Sequence, residues 1–308
     1  MNRSSEGIGA RIDTSSSLDD VVPFMADPKT IRALIQATAP WLASRGADNG
    51  RTEAELLIGH ALSMRRLDLY LDLERPLTDD EIARCRALVK RRGQGEPLAY
   101  ITGEREFYGL ALHVSPDVLI PRPDTETLVE AALARLPEDV EGVVVDVGTG
   151  SGCVALALLQ QREGLRVVAV DVSEQALAVA RKNAERHGLA DRLELRQGDL
   201  LGPCSDVDGA LLVVSNPPYV IKGSALLHKD VAAFEPALAL YGEGDDGLGH
   251  HRRILAAAGP LLGPQGAVLL EIGADQGAAA RALLAPPFVA VDVLSDLAGH
   301  TRVVVLSR

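Results

Sequence analysis

The 308-residue sequence is poor in aromatic residues, in cysteine and in positive charge, and each shortage excludes something. Phe, Trp and Tyr together number only ten, so those beside Gly, Pro or Asn raise individual questions. The three cysteines, Cys85, Cys153 and Cys204, are far apart and form no CxxC pair, which argues against a disulfide framework or a structural zinc site. Lys and Arg total 31 against 43 Asp and Glu, a net charge of −12, which argues against a broadly basic nucleic-acid binder. No stretch approaches the ~18 uninterrupted apolar residues that span a bilayer. The N-terminal MNRSSEGIGARIDTSSSLDDVV has no apolar segment of the kind a secretory signal carries. The expectation is a cytoplasmic protein with no membrane partner, long enough for one large domain or two of ordinary size.

Residues 1–27, rich in Ser, Gly and Asp and without periodicity, read as a flexible N-terminal tail. From 28 to 103 the pattern becomes helical. Ile31, Leu34 and Ile35 recur at helical spacing, as do Leu56, Leu57, His60 and Ala61. Thr78 is an expected N-cap, with Ile82, Cys85, Leu88 and Val89 on one face and Gly93 as the expected stop. This segment carries twelve basic and ten acidic residues. Its cluster Arg84, Arg86, Lys90, Arg91, Arg92 is either a site for an acidic or RNA-rich partner or a solvated helix face. Residues 104–123 read as a β-hairpin linker turning at Gly109. From 124 to 308 helices, the first capped by Asp124 or Thr125, alternate with strands expected at 143–147, 167–170, 193–196, 209–214, 267–272, 288–293 and 302–306. That alternation predicts an α/β domain with a mainly parallel sheet. The short DLAGHT between the last two strands forces an antiparallel hairpin at its end.

Two loops in this domain carry chemistry. Asp146-Val-Gly-Thr-Gly-Ser-Gly-Cys153 follows a strand and opens a helix, and Gly148, Gly150 and Gly152 let backbone approach a ligand closely. Asp171 ends the next strand, where a carboxylate can accept hydrogen bonds from ribose hydroxyls. A dinucleotide site wants GxGxxG, but Cys153 occupies the third position; the GxGxG pattern preceded by Asp146 resembles instead the first motif of S-adenosylmethionine methyltransferases, and that resemblance favours S-adenosylmethionine. Asp199 and Leu200, after the following strand, could hold the adenine amino group and cover the ring.

Ser215-Asn-Pro-Pro-Tyr219 lies at the carboxyl end of an apolar strand. Two prolines stiffen it and remove two donors. The carbonyl of Pro217 and the side-chain carbonyl of Asn216 then offer two acceptors to one planar NH2 group. Fixing both hydrogens aims a poorly nucleophilic nitrogen at a methyl donor and stabilises the positive charge that grows on it. Tyr219 can pack over the planar group. His113, His187 and His228 have no ligand spacing and read as surface or structural residues. No metal is expected.

NPPY is common to glutamine methyltransferases and to nucleic-acid amino-methyltransferases. The chain resembles the HemK/PrmC family, the release factor (protein-(glutamine-N5)) methyltransferases, from about residue 28 onward. The resemblance is carried by EPLAYITGEREFYGL (96–110), LIPRPDTETLVE (119–130), DVGTGSGCVAL (146–156), DVSEQALAVARKNAERHGL (171–189) and VSNPPYV (214–220). FEPALAL (234–240), DGLGHHRRI (246–254), EIGADQG (271–277) and DLAGHTRVV (297–304) extend it. It implies a Rossmann-like S-adenosylmethionine-dependent methyltransferase fold, preceded by a small helical substrate-recognition bundle and the hairpin.

The resemblance further implies that Gly148, Thr149, Gly150, Ser151, Gly152, Asp171 and Asn216 contact S-adenosylmethionine, released as S-adenosylhomocysteine, with Leu200 by the adenine. Asn216, Pro217, Pro218 and Tyr219 would hold a glutamine amide, and Phe107, Arg122 and Glu126 would lie near the pocket. Without the family, Arg122 and Glu126 read as a surface ion pair. The implied partners are class 1 peptide chain release factors, methylated at the glutamine of Gly-Gly-Gln. A ribosomal-protein glutamine methyltransferase is the sister alternative, and IPRPDTE points away from it. The acidity of residues 104–308 weighs against a nucleic-acid substrate and against stable nucleic-acid binding.

Overall fold

A computed structural model describes residues 29–224 and 229–308; the tail at 1–27 and His228 lie outside the described residues. The chain divides into two compact units, one ending at Ile101 and one spanning Thr102–Arg308.

The first unit contains α1 (Ile31–Ser44), α2 (Gly50–Leu62), α3 (Arg66–Leu71), α4 (Asp79–Gly93) and most of α5 (Leu98–Thr102). Thr78 caps α4 with a reciprocal Glu81 bond, as its Thr-x-x-Glu spacing requires. The core gathers Ile31, Leu34, Leu42, Leu57, Ile58, Leu69, Cys85 and Val89. Of the residues that recur at helical spacing in α2, Leu57 is buried while Leu56 and His60 are exposed, and Ala54 and Ile58 complete the buried face. Gly93 does not stop α4. It is the last helical residue, and a Cβ there would stand 2.0 Å from the Trp41 ring; the left-handed residue is Gly95, at φ 93°. In the basic cluster Arg92 is paired with Glu53 and Arg91 with Glu96, so two of its charges are spent within the unit.

The second unit begins with the hairpin β1 (Glu104–Phe107) and β2 (Leu110–His113). Tyr108 and Gly109 both have positive φ, the two-residue turn whose twist suits a hairpin. The sheet elements follow: α6 (Glu126–Leu133), β3 (Gly142–Val147), α7 (Cys153–Gln161), β4 (Leu165–Asp171), α8 (Glu174–Arg186), β5 (Leu193–Gln197) and β6 (Ala210–Ser215). Then come α9 (Lys229–Phe234), α10 (Ala237–Leu240), α11 (Gly249–Ala258), β7 (Leu262–Glu271), α12 (Gly277–Arg281), β8 (Ala290–Ser295) and β9 (Thr301–Ser307). The expected helix to Leu262 ends at Ala258 with a 3-10 turn, and β7 starts at Leu262 rather than 267.

The sheet order is β5-β4-β3-β6-β7-β9-β8, parallel except for β9, which runs antiparallel to both its neighbours. Val144, Leu212 and Leu269 face one apolar layer, and Val145, Val213 and Val268 the other, which is why these strands read as unbroken apolar runs. The chain leaves β3 toward β4 and later returns to β6 on the opposite side. The carboxyl ends of β3 and β6 therefore open a crevice at the switch point, where ligands of open sheets bind.

Candidate active site

The loop after β3 enters the crevice through three residues of positive φ, Gly148, Gly150 and Gly152. At Gly152 a Cβ would press on Ala180 at 3.3 Å, so this glycine serves packing against α8. At Gly148 and Gly150 nothing lies within 4 Å of the position a Cβ would take: the backbone there faces open space. The loop is tied down from behind. The amides of Gly148 and Thr149 both donate to the Val170 carbonyl, and the Thr149 hydroxyl donates to Asp146 at 2.7 Å. Burial pushes the Asp146 carboxyl up to about 6.

Asp171 accepts from the Gly150 amide at 2.9 Å with one oxygen and from the Ser173 amide at 2.9 Å with the other. Its pKa is raised by burial, which those amides oppose. Asn183, fully buried on α8, extends the scaffold: it donates to the Ser151 carbonyl and makes two bonds to the His113 backbone. Asn183 belongs to a matching block but carries no motif of its own, and its role is visible only in three dimensions.

Asp146, Gly148, Thr149, Gly150, Ser151 and Asp171 line a cavity of about 310 Å³ that also includes Asp199, Leu200 and Arg253. Asp199 is exposed and paired with Arg253. Leu200 adopts φ 48°, a conformation uncommon for a side-chain-bearing residue. The preceding Gly198 cannot be replaced cheaply, because a Cβ would stand 2.3 Å from Pro203. A glycine cradle without side chains, with a carboxylate at the next strand end, has the shape and donor set that an adenosine-bearing amino acid needs.

A second cavity of about 270 Å³ adjoins the first and is lined by Pro217, Tyr219, Val220, Leu240 and Glu271. Asn216, Pro218, Leu119 and Arg122 line both. Hydrogen bonds at both ends hold the motif in place, with the Tyr219 hydroxyl donating to Glu271 at 3.2 Å. Ser215 donates to the Val147 carbonyl at 2.6 Å, and the Val220 amide to Leu240. Gln276 donates to the Tyr219 carbonyl at 3.2 Å, and the Asn216 NH2 to the Thr125 hydroxyl at 3.1 Å. Gly247 packs so closely on Tyr219 that a Cβ would lie 2.3 Å from its carbonyl oxygen.

Three expected roles are placed differently. Thr125 makes no cap; it is buried and receives Asn216. Arg122 and Glu126 do not pair with each other: Arg122 reaches Glu235 at 2.5 Å, and Glu126 accepts from the Tyr108 amide at 3.1 Å. Glu235, almost fully buried, also accepts from Ile120 and so clamps the segment before Pro121. Phe107 is fully buried among Leu110, Leu112 and Leu128 and lines neither cavity. His113 and His187 bond to backbone carbonyls, Gly103 and Ala111, in structural roles.

Residues 33–103 match the PrmC N-terminal domain and residues 124–238 the methyltransferase small domain. A release factor glutamine methyltransferase of Geobacter sulfurreducens is 45% identical over 80% of this chain and 85% of its own length. The protein of that name from Nitratidesulfovibrio vulgaris is 40% identical over 93% of this chain and 98% of its own. The chain belongs to the release factor glutamine methyltransferase family. It is an enzyme of the methyltransferase class with the fold its sequence resemblance implied. Among solved structures, the hMettl16 catalytic domain in complex with the MAT2A 3'UTR hairpin 6 shares that fold, at TM-score 0.51 and 16% identity, over 76% of this chain and 84% of the other. No helix among the described residues of this family member is long and apolar enough to cross a membrane.

Proposed function

We propose that the protein transfers a methyl group from S-adenosylmethionine to the side-chain amide nitrogen of the glutamine in the Gly-Gly-Gln motif of class 1 peptide chain release factors. The observation that carries this reading is the meeting of two cavities at Asn216 and Pro218, one walled by the glycine cradle and one by Pro217 and Tyr219. Gly148–Gly152, Asp171 and Leu200 hold the cofactor, which when bound supplies the electrophilic methyl group.

With its NH2 given to Thr125, Asn216 has its carbonyl oxygen available for one hydrogen of the substrate amide. The Pro217 carbonyl takes the other. Both acceptors strengthen their bonds as positive charge develops on the nitrogen, so they favour the transition state over the ground state. Tyr219 and the apolar wall at Val220 and Leu240 exclude water from the reacting nitrogen. The proton leaves after transfer, so no base is needed to begin. The helical unit recognises the release factor.

The test is mass spectrometry of a purified class 1 release factor incubated with this protein and S-adenosylmethionine. One added methyl on the Gly-Gly-Gln glutamine, absent from a Gln→Ala factor and insensitive to nuclease, is expected. Methylation of a ribosomal protein or of RNA instead would overturn the substrate assignment.

A further inference from the structure

We propose that Arg302 is a positioning residue for this transfer: by binding Asp124 it holds the turn that presents the Thr125 hydroxyl to Asn216. The inference rests on the amide-methylation reading above. Its starting point is a pair of charged residues that the reaction leaves without a role, Asp124 of the PRPDTE segment and Arg302 of the last strand. Neither lines either cavity, so any effect they have on the reaction passes through a neighbour.

That neighbour is Thr125, which is 1% exposed and accepts from the Asn216 NH2 at 3.1 Å. Thr125 ends a 3-10 turn, Pro123–Thr125, that has no side-chain cap. The Thr125 amide donates to the Arg122 carbonyl at 3.1 Å, a bond within the turn that does not set where the turn sits. A turn this short closes few bonds of its own, so its place against the sheet is set from outside. Two ion pairs do this. Arg122, just before the turn, reaches the buried Glu235, and Asp124, within it, lies 2.7 Å from Nη2 of Arg302.

Arg302 is built for that contact. Its side chain is only 15% exposed, and its Nε donates to Asp296 at 2.8 Å, so one carboxylate aims the planar guanidinium at the other. Asp296 is fixed in turn by the Ala298 and His300 amides, each at 2.9 Å, in the connection between β8 and β9. The Arg302 carbonyl accepts from the Ile272 amide at 2.8 Å, just past the end of β7. A continuous path thus runs from the antiparallel edge of the sheet through Asp296, Arg302 and Asp124 to Thr125 and Asn216.

Two measurements on the full chain test this. In steady-state methylation of a release factor, Arg302→Gln and Asp124→Asn should each lower kcat about tenfold, with S-adenosylmethionine affinity and the release factor KM within about threefold. The double variant should lose no more than either single one, because both break the same contact. Independently of any substrate, the Asn216 side-chain NH2 signals, assigned in 15N spectra by their loss in Asn216→Asp, should move in Thr125→Val and move also in Arg302→Gln and Asp124→Asn. A pair that only stabilised the fold would leave both readouts of the folded enzyme where they are. Should Arg302→Gln fail to fold, Asp124→Asn, at a half-exposed position, carries the test alone.

Unchanged kcat in these variants overturns the proposal, as do losses that multiply in the double variant or a parallel loss of cofactor affinity. NH2 signals that answer to Thr125→Val but not to Asp124→Asn also overturn it. If the signals move as expected but no glutamine is methylated, the functional reading fails and the positioning role stands.

Discussion

Replacing Glu271 by Gln should stabilise the second unit at alkaline pH and leave no such gain in acid. In the folded state burial raises this carboxyl from its ordinary 4.5 to about 7. Between those values the folded chain binds a proton that the unfolded chain has already released, so stability falls as pH rises through the window. The full penalty, reached above about pH 8, is about 3 kcal/mol; at pH 5 less than about 1 kcal/mol of it has developed. Gln keeps an acceptor for the Tyr219 hydroxyl but brings an NH2 whose satisfaction is costly if incomplete, about 1–3 kcal/mol. That cost is the same at both pH values, and the titrations of Asp146 and His251 cancel between variant and wild type because both proteins carry these residues. The double difference, variant minus wild type at pH 8 less the same at pH 5, therefore isolates Glu271 at about 2–3 kcal/mol. For a unit of this size it corresponds to about 5–10 °C in Tm. Differential scanning calorimetry at the two pH values reads it. Trp41, the chain's single tryptophan, lies in the helical unit, and its fluorescence identifies that unit's transition. A double difference below about 0.5 kcal/mol would falsify the assignment of a raised, titrating carboxyl at Glu271.

Asn216→Ala should lower kcat by about a hundredfold or more, the scale of losing one preorganised hydrogen-bond partner of a transition state. Calorimetric S-adenosylmethionine affinity should fall far less, because the glycine cradle and Asp171 remain; wild-type turnover would sink the amide-clamp mechanism. Asp171→Ala should do the reverse and weaken cofactor binding first, because it removes the carboxylate that also receives the Gly150 and Ser173 amides; unchanged affinity in the same titration would count against the cradle. Gly93→Ala drives a Cβ into the Trp41 ring and should destabilise the helical unit by about 1–3 kcal/mol. Trp41 fluorescence during urea unfolding checks this, and a null shift would mean the ring simply moves aside. Arg122→Ala leaves the buried Glu235 without its cation. The arginine is a third exposed, so water offsets part of the loss, and about 2–3 kcal/mol is expected. Equal denaturation midpoints for wild type and variant would show the pair to be dispensable.

Both loops of the site were legible because each is local: a run of glycines after an apolar strand, and two prolines between an asparagine and a tyrosine, state their backbone conformations in adjacent residues. The alternation of strands and helices gave the sheet for the same reason, and the brevity of DLAGHT gave its antiparallel end. What stayed hidden was every role that depends on which strand ends lie side by side. Thr125 occupied a plausible cap position, and Arg122 had an acid four residues on, so helix rules supplied both with the wrong partners. Their actual partners, Asn216 and Glu235, are far along the chain and become neighbours only after the sheet is ordered. Glu271 is the sharpest case. As sequence it is a polar residue closing an apolar strand, indistinguishable from an ordinary strand end. Because the order β3-β6-β7 sets three parallel carboxyl ends in a row, the glycine loop, the Asn-Pro-Pro-Tyr loop and Glu271 emerge along one edge. The same parallel register that creates the crevice thus carries a buried carboxyl beneath the Tyr219 hydroxyl, where burial pushes it up to about 7.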